Sequence, residues 1–547
     1  MSNNNYDVII IGGGIAGLST ALEISRANSS LEICLIESRN RLGGRLKYGD
    51  TATGKVVDLG GTWVGPLQTH ITKLLEEIDV TVFPQYIKGK NIHDNGKSLA
   101  KYTGTIPNIS LFSLIDVQLY LNELEAKVRA VLKLKPGEEL KRARELDSIS
   151  MYEFSVQQCW TEQARRLVSV VTRMILALES DQVSVYYFLV YAASAGGTRP
   201  LIDTDGGGQD SRMAGGTKKL LANILETINS TRAAAQPPLP PLRVVLDSPV
   251  QRVDYSCSGT DGRVAIQCHN ADNTDGCGTY YARRLVCACP PSALGRVSFC
   301  PTPSPWKNSL WTRSRYGCMT KVIVQYPTAF WRTAGYTGQV TCDNPVVKTG
   351  VSISASKNKK DKLTGNRPIT TILDLCDMHG ADGEVVFPAL CCFVVGDVGI
   401  QFAGLSAQDQ KSAIIEHLVV LFGPDADADN VTAYDSIDWL HDPESVKYGG
   451  GCPVDVSNIG FYREHAAQLT VPLMCDSGDK VVFFAGTETA ARWIGYMDGA
   501  VESSKRVTIE CLASFGPAPP SPVPAGSPLE GGEDTFSGAG TGNPLIH

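Results

Sequence analysis

An α/β fold is predicted, a Rossmann-like dinucleotide-binding domain interleaved with an α+β second domain, and three observations predict it. The apolar run Val8 to Ile11 leads straight into Gly12-Gly13-Gly14-Ile15-Ala16-Gly17. Twenty residues beyond Gly17, the acid Glu37 closes a second apolar run, Ile33 to Ile36. Near the other end of the 547 residues, Val481 to Phe484 is a further apolar run that breaks into the small-residue turn Ala485-Gly486-Thr487-Glu488-Thr489. Two remote pieces of chain therefore carry the signature of one dinucleotide-binding sheet.

Each element follows in order. Val8 to Ile11 suit a parallel strand covered on both faces. Gly12 permits a tight turn, Gly14 a close approach of backbone to pyrophosphate, and Gly17 close packing of a helix that begins near Ile15. That helix points its first amides at the phosphates. Glu37 stands where a carboxylate can accept hydrogen bonds from a ribose 2′-hydroxyl, which favours a non-phosphorylated adenosine. Gly43-Gly44 permits a second close backbone approach, and Arg45 brings a planar fork of donors suited to phosphate or ring oxygens. From Pro107 to Gln209 the period is helical, as in Leu114 to Leu132 and Ala164 to Ala177. Strands then resume at Arg243–Leu246, Val250–Val253 and Val264–Cys268, and the run Arg284 to Pro291 reads as a strand returning to the first domain. Lys321 lies inside Cys318 to Tyr326, a strand too apolar for a casual charge. Burial of an ammonium is costly without compensation, so Lys321 either snorkels from an edge strand or serves a site.

Composition excludes several classes. The net charge is −7 and no basic run is interleaved with aromatics, which disfavours nucleic acid. No stretch of about eighteen apolar residues is present, so no transmembrane segment is expected. The start lacks a basic n-region, which predicts no secretory signal and a cytoplasmic location. The 16 cysteines are scattered through apolar runs and read as reduced core residues, without the paired spacing of a zinc site, so no metal is expected. The length predicts two intertwined domains, and an oligomer is compatible with it. Residues 515 to 547 are rich in Pro, Gly and Ser and are expected to form a disordered tail.

Arg39 to Arg45, Gly60-Gly61-Thr62-Trp63-Val64-Gly65-Pro66, Ala485 to Ala490 and Trp493 to Ala500 together resemble the flavin amine oxidase family, with the monoamine oxidases nearest. The resemblance implies FAD, bound by Gly12, Gly14, Gly17, Glu37, Arg45, Gly61, Thr62, Val250 (through its backbone), Trp439, Cys452, Glu488 and Met497. It implies an FAD-binding domain of residues 1–110, 243–305 and 450–514, and a substrate domain of residues 111–242 and 306–449. Lys321 and Tyr496 take the catalytic positions, Lys321 by holding a water at the flavin N5, while Ile202 or Leu201, Gln209 and Tyr496 line the substrate cavity. Cys452 falls where monoamine oxidases attach the flavin through a thioether.

The chain departs from the pattern at Pro453, where a tyrosine would form one wall of an aromatic cage whose other wall is Tyr496. The implied reaction converts an amine to an imine by transfer of a hydride equivalent. The imine hydrolyses to aldehyde and ammonia, and oxygen is reduced to hydrogen peroxide. Oxidation of polyamines, which calls for acids along the cavity, or of L-amino acids, which calls for an arginine, remains open at this stage, as does a flavin-bound scaffold without turnover.

Overall fold

The computed structural model describes residues 4–516 except 29, 52, 108, 136, 137, 139, 270–276, 348–364 and 378–386. The expected tail lies outside the described residues from 517 onward. Phe515, counted in that tail, belongs to the fold, because the guanidinium groups of Arg283 and Arg284 sit 4.7 and 5.0 Å from its ring centroid.

Strand β1 (Asn5–Ile11) is paired in parallel on both sides. Its Val8 lies opposite Ile33 of β2 (Ile33–Ile36) and opposite Arg284 of the long strand Cys277–Cys287. Val8, Ile9 and Ile10 have no exposed surface, as a strand covered by helices on both faces requires. Arg243–Val245 extends the sheet beyond β2, and Lys480–Phe484 joins in parallel with Leu285 opposite Val482. Both ends of the chain thus meet in one sheet. The first half of Cys277–Cys287 pairs antiparallel with Val264–His269, and Val250–Asp254 and Ser298–Cys300 continue that edge. Helix α1 (Ile15–Ala27) lies against β1 and against the last helix, Met497–Ala513.

A second sheet, of seven strands, has the order 433–438, 319–325, 389–395, 371–374, 336–342, 90–94, 99–102. The strand Met319–Gln325 is flanked by Ala389–Val395 and Ala433–Asp438, so Lys321 is not on an edge and does not snorkel. Between the sheets' contributions run the helices Leu111–Leu132, Glu162–Leu176 and Val185–Ser194. Each begins at a hydroxyl cap, Ser110, Thr161 or Ser184, that accepts a hydrogen bond from the amide three residues on. Val185–Ser194 is buried on every side, as its unbroken apolar and aromatic sequence dictates.

Two segments sit elsewhere than their expected boundaries put them. Strands Lys90–Asp94 and Leu99–Tyr102 fall before residue 110 yet pair within the second sheet, where Ile92 lies opposite Val340. Helix Gly216–Ala233, placed with residues 111–242, packs instead against α1, and its Leu220, Ile224 and Ile228 complete the apolar core around β1. A strand's period shows that it will pair but not with what, and an amphipathic helix does not name the face it will cover.

Candidate active site

A cavity of about 630 Å³ runs from the glycine turn after β1 to a chamber between the two sheets. Its wall includes Gly12, Gly14, Glu37, Arg45, Gly61, Thr62, Val250, Trp439, Cys452 and Met497, and at the far end Leu201, Ile202, Gln209 and Tyr496. Gly17, Lys321 and Glu488 are not part of the wall. A side chain at Gly17 would put its Cβ 1.9 Å from the Gly12 carbonyl, so this glycine holds α1 against the turn rather than touching a ligand. Gly14 is the opposite case, since a Cβ at this position would meet nothing nearer than 3.8 Å, and the first-turn amides of α1 carry no side-chain cap. An open glycine face before uncapped amides fits a pyrophosphate.

Glu37 does more than wait for a ribose. One oxygen accepts from the Gly13 amide at 2.6 Å and the other from the Arg39 amide at 3.0 Å, so the acid also fixes the glycine turn. The Ser38 hydroxyl donates to the same oxygen as Arg39 at 3.1 Å, and the residue still lines the cavity. Arg45 is placed differently from the expected free fork. It grips Glu488 through two hydrogen bonds of 2.6 and 3.1 Å and donates a third, of 2.9 Å, to the Pro453 carbonyl. Burial, the largest influence, lowers its pKa, but the Glu488 charge and hydrogen bonds together with the charges of Asp455 and Cys452 raise it by more and leave the guanidinium firmly charged.

Behind this pair stands a carboxylate that sequence reasoning missed, Asp455. Its backbone amide donates to Glu488 at 3.2 Å, and its Oδ2 accepts from the Ser292 amide at 2.7 Å. Its Oδ1 is buried without a partner. Burial first, and then the charge of Glu488, push this carboxyl up to about 6. No spacing signal marks Asp455, because its partners lie 33 and 163 residues away.

At the far end the wall is apolar and aromatic. Tyr496 lies 6.3 Å from Tyr191, with the rings tilted by 44°, and 5.0 Å from Trp493 edge-to-face. Tyr191 and Gln209 offer hydrogen bonds to the Tyr496 hydroxyl, while burial pushes Tyr496 up to about 12 and Tyr191 well above the ordinary tyrosine value. Both phenols are therefore neutral. Tyr191, on the fully buried helix Val185–Ser194, supplies a second ring on a chain segment remote from Pro453. The region from Pro107 to Gln209 reads in sequence only as helical, and a helical period does not say which ring faces the cavity.

Lys321 is buried, and its ammonium donates to the Gly60 carbonyl at 3.0 Å and to the Thr62 hydroxyl at 2.6 Å. Trp63 and Phe393 cover it, with ring centroids at 5.2 and 5.8 Å. Its partners Gly60 and Thr62 line the cavity, so the charge lies one layer behind the wall. Cys452 is in the wall, its Sγ 3.9 Å from the Met319 sulfur. Burial pushes its thiol up to about 11 although Arg45 and Lys321 pull the other way, so a thioether here requires a base or the ligand itself to remove the proton.

Among the described residues Asp94, Cys342 and His417 are grouped as metal ligands would be, within 4.8 Å. Their own hydrogen bonds account for them. His417 Nδ1 accepts from the Ile369 amide, which leaves the proton on Nε2, 3.2 Å from Asp94, and Asp94 is also clasped by Arg367 at 3.0 and 3.1 Å.

The fold and this cavity define the class: a dinucleotide-cofactor protein whose glycine turn, remote C-terminal strand and second sheet enclose one elongated cavity. Residues 15–512 match the family described as flavin containing amine oxidoreductase, and the chain belongs to that family. It carries FAD and oxidises amines, with oxygen as the acceptor. It is similar to the flavin-containing amine oxidase of Oncorhynchus mykiss, 28% identical over 524 residues, 95% of this chain and 88% of that one. It is similar also to flavin-containing amine oxidase B of Homo sapiens, 27% identical over 519 residues, 94% and 88% of the two chains. Among solved structures, wild-type putrescine oxidase bound to putrescine has a TM-score of 0.76 at 22% identity, covering 93% of this chain and 99% of that one. Cyclohexylamine oxidase from Brevibacterium oxydans has a TM-score of 0.75 at 22% identity, with the same coverage. No helix among the described residues is long and apolar enough to cross a membrane.

Proposed function

We propose that this chain oxidises small apolar monoamines, bound as the neutral amine against the Tyr496 ring, with Tyr191 packed behind it. One observation carries this reading. The charged residues of the cavity wall are Glu37, Arg39, Arg45 and Arg296, in cofactor-binding segments, and Lys447, whose carbonyl accepts from Arg296 at 3.2 Å, whereas the substrate end is formed by Met174, Ile175, Leu201, Ile202, Leu373 and Phe393 with the tyrosines and Gln209. Among the described residues, a second ammonium on a polyamine would meet no carboxylate in that wall, and an amino acid's carboxylate would meet no guanidinium.

Bound FAD supplies the acceptor for a hydride equivalent from the amine's α-carbon and passes the electrons to oxygen. The protein's part is positional. Tyr496, backed by Tyr191, sets the plane in which the amine lies, Gln209 steadies the Tyr496 hydroxyl, and the apolar wall excludes water. Lys321 places a fixed positive charge behind Gly60 and Thr62, and it would favour negative charge developing in the cavity in front of them.

Anaerobic mixing of the purified yellow protein with benzylamine, with 1,4-diaminobutane and with L-leucine tests the reading by the rate of loss of flavin colour. Benzylamine is expected to bleach the flavin at least ten times faster than either of the others. Faster bleaching by the diamine or the amino acid overturns the monoamine assignment, and no bleaching by any amine overturns catalysis.

A further inference from the structure

Outside the cavity two turns bring a pair of cysteines together. Cys257 follows the strand Val250–Asp254, and Cys475 lies between Leu473–Met474 and Lys480–Phe484. The turns are tied to each other: the Asp476 amide donates to the Ser256 carbonyl at 3.5 Å, and the Ser258 hydroxyl to the Asp476 carboxylate at 3.2 Å. These bonds flank both cysteines in sequence, so the two turns bring Cys257 and Cys475 side by side, near enough for each to influence the other's titration.

The two sulfurs have unequal surroundings. Cys475 sits in a tight turn closed by its own amide on the Asp479 carbonyl and by the Gly478 amide on its carbonyl, both at 2.9 Å, with the Ser477 hydroxyl 3.0 Å from Sγ. Burial raises its pKa, but the Ser477 hydroxyl and the amides of Ser477 and Asp479, aimed at the sulfur, bring it below the ordinary cysteine value. Cys257 is half-buried at a left-handed φ of 61°, its thiol directed at the Tyr255 carbonyl 3.6 Å away. Burial, then the neighbouring Cys475 charge, push it up to about 12. Such a pair has one sulfur suited to attack and one suited to wait as a thiol.

We propose that Cys475 and Cys257 form a peroxide-driven disulfide, a modification site separate from the catalytic cavity. The Cys475 thiolate attacks one oxygen of hydrogen peroxide, the O–O bond breaks, and a sulfenic acid and hydroxide result. The Cys257 sulfur then displaces the sulfenic hydroxyl, and its proton leaves with that hydroxyl as water. In sum two thiols are oxidised to one disulfide and one peroxide is reduced to two waters. The family's reaction with oxygen makes the oxidant within the same molecule. To that extent the inference rests on catalysis, but added peroxide tests the pair without it.

The test uses reduced holoenzyme freed of reductant. One sample receives hydrogen peroxide at a few equivalents, and another turns over amine in air with or without catalase. Remaining thiols are alkylated under denaturing conditions and the digests are mapped by mass spectrometry without reduction. The expected product is a peptide linked through Cys257 and Cys475, lost on treatment with dithiothreitol and suppressed by catalase in the turnover sample. Cys257→Ser is expected to stop at a sulfenic acid on Cys475 that dimedone traps, and Cys475→Ser to give neither product. Absence of the linked peptide from peroxide-treated wild type overturns the proposal, whatever the variants do. Formation with added peroxide but not during turnover retains the pair and overturns the self-supplied oxidant.

Discussion

At the scale of single residues, the sharpest claim concerns Lys321. Its ammonium is held by the Gly60 carbonyl and the Thr62 hydroxyl, both of which belong to a segment of the cavity wall. A fixed cation in a dry site lowers the energy of negative charge developing nearby without reorganisation at the moment of reaction. Lys321→Met is expected to slow reoxidation of the reduced flavin by oxygen about 10- to 100-fold, or roughly 1.4 to 2.7 kcal/mol of barrier, while anaerobic reduction by amine changes much less. Stopped-flow measurement of the two half-reactions separates them, and equal slowing of both would show that Lys321 shapes the site rather than charging it. The same variant leaves a carbonyl and a hydroxyl without their donor, so the melting temperature should fall by the equivalent of about 1–3 kcal/mol.

Among the elements, β1 and α1 with the turn between them carry the most sequence information, because Gly12 and Gly17 are fixed by backbone contacts that leave no choice. A Cβ at position 17 would lie 1.9 Å from the Gly12 carbonyl, a clash with backbone that no rotamer relieves. Gly17→Val is expected to push α1 off the turn and to yield protein with less than a tenth of the wild-type flavin content, read as the absorbance ratio of flavin to polypeptide; full yellow occupancy would refute the role assigned to this contact. The cost is that of overpacking, about 1–3 kcal/mol or more.

The same logic explains what could and could not be read in advance. The two parallel strands, the helices at 114–132 and 164–177 and the return of the 481–484 strand were legible because period and turn chemistry are local. The placement of strands 90–94 and 99–102 and of helix 216–233 was not, since it is decided by partners hundreds of residues away. Within the site, glycines and the Glu37 position were legible from spacing. Tyr191 and Asp455 were not, since each acquires its meaning only from a neighbour brought by the fold.

For the molecule as a whole, four remote pieces of chain converge on one charge balance: Arg45, Ser292, the segment Pro453–Asp455, and Glu488. Two buried carboxylates share a single guanidinium, and Arg45 gives two of its hydrogen bonds to Glu488. Asp455 is met only by the amide and hydroxyl of Ser292, both neutral donors, and its Oδ1 has no partner. Tyr187, whose hydroxyl donates to the Asp455 carbonyl, and the nearby Tyr316 and Tyr462 bring no compensating positive charge. The excess negative charge is relieved by a proton, and the folded-state pKa of about 6, against an ordinary value of 3.8, states this as a linkage. Between those two values the folded protein keeps a proton that the unfolded chain has released. Folding therefore binds protons there, and stability must fall as the pH rises through that window, then remain at the lower level above it. This is the reverse of the usual salt-bridged aspartate. Asp455→Asn keeps the shape and removes the titration, so the variant should melt no lower than wild type at pH 8 and lose that relative advantage as the pH is lowered towards 4. Subtracting the two melting profiles cancels the other titrating groups. A difference that stays constant from pH 4 to 8 would mean that Asp455 carries its charge throughout, and that the fold tolerates the second buried carboxylate by some other compensation.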